Sequence, residues 1–155
     1  SKSVHFMDKI SGLHQFNLIS DIGDFIARRR DGRTAYQLAV VVDDAHQGIT
    51  DIVRGDDLLD STPRQNCLID ALNYRPLRYT HLPVVLGHNH QKLSKQAHAS
   101  PISTENPVKI LQEALHCLGQ NSIADTNSVE NLLHEATATW NPATIPLESA
   151  VWPRQ

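Results

Sequence analysis

"FIARRRDGRTAYQLAVVV" runs from Phe25 to Val42. It joins a turn signal to an unbroken apolar run, and its reading decides the fold class. Asp31-Gly32 is a strong two-residue turn signal, because both residues tolerate the positive φ angles of a type I′ turn. The stretch therefore reads as a hairpin. Its second arm ends in Ala39-Val40-Val41-Val42, apolar without alternation, which suits a strand buried on both faces of a helix-covered sheet. Asp43-Asp44 ends that strand. "GITDIVRG", Gly48 to Gly55, reads as the next strand, with β-branched residues between two glycines.

The flanking segments extend this layer. In "DSTPRQNCLIDALN", Thr62 is a good N-cap, Pro63 fits the first helical turn, and Gln65 completes a capping box. The helix places Leu68, Ala71 and Leu72 on one side. "RYTHLPVVLG" returns as a strand, with Pro83 marking an edge or bend. The order strand, strand, helix, strand, loop belongs to an α/β layer. After "KLSK", Lys92 to Lys95, the texture changes. Asn106-Pro107 opens a helix with Val108, Leu111, Ala114, Leu115 and Leu118, stopped by Gly119. Asn127 opens another, with Val129, Leu132, Leu133, Ala136 and Trp140 at helical spacing, stopped by Pro142. Two packed helices behind the sheet are expected, with a loosely ordered tail from Ile145. No internal repeat or low-complexity tract occurs.

The bulk properties exclude several classes. With 155 residues the chain can bury a real core, and 40% hydrophobic and 20% charged content is ordinary for a soluble domain. A net charge of −3 gives no global basic field, so any RNA contact must come from a local patch. Two cysteines, Cys67 and Cys117, cannot make a zinc site alone, and a reducing cytoplasm fits their use. No apolar run approaches membrane-spanning length and no signal peptide is visible. The chain opens "SKSVHF" without methionine, which either processing or origin as a piece of a longer protein would give.

Several residues are candidates for chemistry. Lys92 and Lys95 lie in "HNHQKLSKQ", His88 to Gln96. Such a pair is commonly a solvated surface feature. Here it follows the C-terminal end of a strand in an α/β sheet, where ligands bind, and ammonium groups there can neutralise a departing pyrophosphate. Gly87-His88-Asn89 offers the loop a hinge. Arg54 ends a strand before Gly55. Its bland role is a surface ion pair, and its sharper role is a bidentate clamp on a carboxylate. Tyr36, expected on the neighbouring strand, is either core or a hydroxyl offered to a small polar substrate. Asp43 and Asp44 point to opposite faces of a strand, so a strand-end hydrogen-bonding role is favoured over a metal. His88 and His90 lack a third ligand at a suggestive spacing. Arg28, Arg29, Arg30 and Arg33 form the only basic cluster, either a solvated hairpin or a phosphate-backbone contact.

"AYQLAVVVDDAHQGITDIVRGDDLLDSTPRQ" followed by "THLPVVLGHNHQKLSKQ" resembles the second half of the catalytic domain of class I glutamyl-tRNA synthetases. "KLSK" is similar to their KMSKS nucleotide loop, and the likeness runs from about Phe6 to Trp140. Within that group the chain is most similar to the truncated paralogues, the glutamyl-queuosine tRNA(Asp) synthetases. The loop ends in Gln96 where full synthetases continue differently, and the stretch beyond Lys95 is too short for their anticodon-binding domain.

The resemblance implies an α/β fold, the second half of a Rossmann-type catalytic domain over residues 1–96, followed by a small helical, stem-like subdomain over 97–155. It implies a ligase that activates L-glutamate with ATP and magnesium. Glutamate then passes to queuosine in the anticodon stem-loop of tRNA(Asp). Tyr36 and Arg54 match the glutamate-binding tyrosine and arginine. Lys92 and Lys95 match the catalytic loop, and Lys92, Ser94 and Lys95 the ATP contacts. The family's HIGH-type motif and zinc knuckle belong to its first half; neither is here, and no zinc site is expected in this chain. A cytoplasmic monomer without membrane contact is implied, as part of a longer enzyme and inactive alone. The alternatives are a fragment of a tRNA-charging glutamyl-tRNA synthetase and a non-catalytic tRNA-binding module.

Overall fold

The computed structural model describes residues 3–88, 90–93, 101–102, 104–120 and 126–152. The chain divides into two compact units, Ser1–His81 and Leu82–Gln155.

The first unit opens with a hairpin that the sequence patterns did not announce. Strand β1 (Ser3–Asp8) pairs antiparallel with β2 (Gly12–Asn17), in the register Ser3↔Asn17 to Asp8↔Gly12. The Asp8 carboxylate closes the turn, its Oδ1 accepting from the Ile10 and Ser11 amides at 2.9 and 3.0 Å. Gly12 takes φ 82°, open to glycine at little cost. Helix α1 (Tyr36–Gln47), β3 (Asp51–Gly55), α2 (Thr62–Ala71) and β4 (Arg78–Leu82) come next. The sheet order is β2-β1-β4-β3, with β1 parallel to β4 at Asp8↔Tyr79. α1 packs on α2, and α2 on β1. Phe6, Val41, Ile69 and Tyr79 are buried. Phe6 sits with its ring centroid 5.2 Å from that of His14 and 5.5 Å from that of Tyr79.

Several expectations are corrected by the structure. The tight turn at Arg28–Thr34 exists, with an antiparallel bridge between those residues and Gly32 at φ 82°. Its second arm, however, does not continue as a strand. Ala39 to Val42 lies inside α1, and so do Asp43 and Asp44. Valine lowers helix propensity by only a few tenths of a kcal/mol, and tertiary packing overrides such a preference. Only Val41 of the three valines is buried, as a helix packed along one side requires. The helix stops at Gly48, φ 71°, where the Gly48 amide bonds Ala45 O and the Ile49 amide bonds Asp44 O, the double closure of a Schellman motif.

Tyr36 accordingly begins a helix and is not on a strand. The capping box at Thr62–Gln65 is also absent. The N-cap is Ser61, without a side-chain cap bond, and both predicted capping side chains are used elsewhere. The buried side of α2 carries Thr62, Gln65 and Ile69, while Ala71 and Leu72 are exposed.

In the second unit, β5 (Val85–Leu86) follows the break at Pro83 and pairs parallel with β6 (Ala150–Val151). Part of the tail expected to be loose is thus a strand, and the Trp152 amide reaches Leu86 O at 2.7 Å. α3 (Pro107–Cys117) is capped by Asn106, whose side chain accepts from the Lys109 amide. α4 (Val129–Ala138) is capped by Ser128, one residue later than the predicted start at Asn127. α3 and α4 pack together, and Leu132 is fully buried. Gln120, also buried, ties the end of α3 to the turn after α4, donating to Asn141 O and accepting from the Asn141 amide.

Candidate functional site

Arg54 on β3 is the centre of a hydrogen-bonded cluster in the first unit. Its Nε donates to His81 Nε2 at 3.1 Å, its Nη1 to Gln65 Oε1 at 2.8 Å, and its Nη2 to Thr62 Oγ1 at 2.8 Å. A longer bond runs from Nη2 to Leu58 O at 3.4 Å. The guanidinium carbon lies 5.8 Å from the centroid of the Tyr79 ring. All four acceptors are neutral. Arginine has five N–H groups, so one on Nη1 has no partner among the described residues. A bidentate grip on a carboxylate would take that N–H together with the one now on Leu58 O, the longest bond of the set.

The cation is poised rather than neutralised by direct contact. Burial lowers the Arg54 pKa, opposed by the phenols of Tyr36 and Tyr79 and by the charges of Asp44 and Asp57. Burial raises the Asp44 carboxyl, against the pull of Arg54. Burial also pushes the Tyr79 phenol up to about 12, so it stays neutral and donates to Asn66 Oδ1 at 2.8 Å.

Behind Arg54 stands His81. Its Nδ1 lies 2.8 Å from Asp8 Oδ2, and the same oxygen accepts from the His81 amide at 2.9 Å. Both side chains are almost wholly buried. Because Arg54 can only donate, His81 Nε2 must carry a lone pair, and the proton sits on Nδ1 toward Asp8. Burial lowers the His81 pKa, in keeping with a neutral ring. Burial raises the Asp8 carboxyl, but the bonds from Ser11, Ile10 and His81 outweigh it, and its pKa falls below the usual carboxylate value. The row is a carboxylate, a neutral imidazole and a guanidinium, each bond fixed by the one behind it.

A second chain of bonds reaches α1. Gln65 Nε2 donates to Gln37 Oε1 at 2.9 Å, and Gln37 Nε2 to Ser61 Oγ at 3.1 Å. Gln37 follows Tyr36, which opens α1 half exposed and within electrostatic range of Arg54. Tyr36 and Arg54, predicted together, are brought into one region by α1 and β3.

Lys92 belongs to the second unit. It pairs antiparallel with Leu86 across a turn in which the Gly87 amide bonds Gln91 O, and the Leu93 amide bonds Val85 O. Ser94 and Lys95 lie outside the described residues, as does Asn89 of the expected hinge. Arg28 and Arg33 are exposed around the turn at Gly32. Among the described residues no group of three or more His, Cys, Asp or Glu could hold a metal ion, His88 and His90 included. Among the same residues no helix is long and apolar enough to cross a membrane.

Sequence reasoning missed Asp8, His81, Thr62, Gln65 and Gln37. The available signal was the i, i+3 spacing of Thr62 and Gln65, which looks the same whether the side chains cap a helix or face a cation.

Residues 1–114 match the family described as tRNA synthetases class I (E and Q), catalytic domain. The chain belongs to this family. Among its relatives, the glutamyl-Q tRNA(Asp) synthetase of Chromobacterium violaceum is 50% identical over 139 residues, covering 90% of this chain and 47% of that protein. The protein of the same name from Xanthomonas campestris pv. campestris is 48% identical over 143 residues, 91% of this chain and 48% of its own length. The chain thus spans about half the length of the curated relatives it matches. The family's fold is also seen in solved structures. A glutamate-tRNA synthetase of Elizabethkingia anophelis aligns with TM-score 0.72 at 19% identity, covering 97% of this chain and 34% of that one.

Proposed function

We propose that the chain is part of an enzyme that activates glutamate with ATP and passes it to the queuosine base of tRNA(Asp). In this reading Arg54 and Tyr36 hold the glutamate, and Lys92, Ser94 and Lys95 hold the nucleotide with its magnesium. The single observation that carries the glutamate assignment is the state of Arg54. Among the described residues its bonds go to neutral acceptors, none of them a carboxylate, and one N–H is left over. A part-buried cation without a contact anion costs free energy, which an incoming carboxylate offsets. The names of the relatives support the queuosine acceptor. The helical segment over 97–155 is proposed as the stem-like subdomain of the same enzyme.

The test uses the intact native gene product that carries this chain. Glutamate-dependent ATP–pyrophosphate exchange is measured for wild type and Arg54→Ala, followed by transfer of labelled glutamate to queuosine-containing tRNA(Asp) and to tRNA(Glu). The proposal expects a raised glutamate KM in the variant and transfer to tRNA(Asp) alone. An unchanged glutamate KM, or charging of tRNA(Glu), would sink it.

A further inference from the structure

We propose that His81, set by Asp8, is the positioning residue that aims Arg54 at its carboxylate ligand. This rests on the reading of Arg54 as a glutamate-binding residue. His81 touches no substrate in this scheme; it acts through Arg54.

The geometry carries the proposal. The Nη1 and Nη2 ends of the guanidinium are tied to α2, through Gln65 and Thr62. Nη2 also reaches Leu58 O, by the longest bond of the set. The Nε bond to His81 adds a side-chain anchor from β4 at the root of the fork. His81 can accept that bond only with its proton on Nδ1. Asp8 Oδ2, an acceptor 2.8 Å away and fully buried, demands that proton. A ring protonated on Nε2 would turn its N–H against the Arg54 N–H and break the fork's orientation. Asp8 is itself held in place, because its other oxygen closes the β1–β2 turn through Ile10 and Ser11. The orientation of a cation on β3 is therefore referred through β4 to the end of β1.

A purely structural role explains this less well. Glue between strands could come from apolar side chains at lower cost than a buried carboxylate, an imidazole and a guanidinium. Among the described residues the row also leaves an Arg54 N–H unspent, which a cluster built only for stability would have used.

Two variants separate the roles. His81→Asn keeps a donor for Asp8 and loses the acceptor for Arg54. His81→Gln keeps an acceptor near the Nε2 position and loses the donor to Asp8. In the intact gene product, His81→Asn is expected to raise the glutamate KM on the order of tenfold or more, the scale of a lost hydrogen bond to a charged group. The ATP KM should stay within about twofold and His81→Gln should recover most of the loss. Arg54→Ala is the control: if it leaves the glutamate KM unchanged, the glutamate reading itself fails. If Arg54→Ala raises that KM while neither His81 variant does, or if both variants raise the KM for ATP and glutamate alike, the positioning role is overturned. Should the variants not fold, nitrogen-15 spectra of wild type decide. His81 is expected in the Nδ1–H form, with Arg54 Nε–H and His81 Nε2 both shifting on glutamate addition. An Nε2–H tautomer, or an Nε2 signal indifferent to glutamate, overturns the proposal.

Discussion

Thr62 and Gln65, one helical turn apart on α2, both spend their side chains on Arg54, each at 2.8 Å. The start of α2 is therefore arranged around a cation on β3, at the expense of its own capping. Ser61 takes the N-cap position without a side-chain bond to the helix amides, and Pro63 removes one of the amides that would need one.

Thr62→Val tests that arrangement. The swap keeps the shape and deletes the hydroxyl, leaving a part-buried Arg54 N–H without its acceptor. A buried donor left unmade costs about 1–3 kcal/mol, so the variant should unfold at lower denaturant with an unchanged slope. The same hydroxyl lies 3.1 Å from His81 Nε2, so equal midpoints for Thr62→Val and wild type would show that its contacts with Arg54 and His81 together contribute nothing net.

Acid should act on the same cluster in two stages. The His81 pKa is lowered by burial, so the fold favours the neutral ring. That contribution is complete above the unfolded histidine value near 6.5 and fades as pH falls from there through the folded value. The Asp8 pKa is also lowered, although burial opposes it. Its contribution is complete above the unfolded carboxylate value near 4 and fades as pH drops below it. Thermal unfolding followed from pH 8 to pH 3 should show stability falling in both windows. Asp8→Asn should shrink the lower one, leaving the part due to Asp21 and Asp51, whose carboxyls are also lowered. A Tm flat across both windows contradicts the proton placement along the row.

Gly119 supports a prediction in the second unit. It sits at φ 67° after α3, and a Cβ there would collide with the Thr144 carbonyl. Gly119→Ala meets both the backbone penalty and the clash, so a loss of at least about 2 kcal/mol is expected in chemical denaturation. A loss under about half a kcal/mol would mean that the Gln120–Asn141 link, which brings these segments together, gives way easily.

The parts of the fold that were legible in the sequence are those fixed by single-residue chemistry. Pro83, Asn106-Pro107 and Gly119 mark ends that the structure keeps, because their φ preferences and missing or supplied donors act locally; Gly48, expected to open a strand, instead closes α1. Ala39–Val42 misled because a valine run satisfies a buried strand and one face of a helix equally well, and only packing chooses. Arg54 was legible as a fork at a strand end. Asp8 and His81 were not, being 73 residues apart. Their pairing is created by the parallel contact of β1 with β4, which no local pattern encodes.

Lys92 opens the proposed nucleotide loop. Lys92 is exposed on an arm bridged to Leu86, with Leu93 bonded to Val85, so the start of "KLSK" is anchored to β5. A solvated lysine pair would tolerate alanine, since surface substitutions usually stay within about half a kcal/mol. If the loop instead meets charge building on a departing pyrophosphate, the interaction is strongest in the transition state. Losing it then lowers kcat more than it raises the KM for ATP. Lys95→Ala in the intact gene product should slow adenylate formation on the order of a hundredfold, the scale of one preorganised charge-stabilising group. Lys92→Ala should act in the same direction. Leu93→Met, nearly volume-conserving, should be mild. The measurement is pre-steady-state adenylate formation. A wild-type rate for Lys95→Ala would make the two lysines an ordinary surface pair.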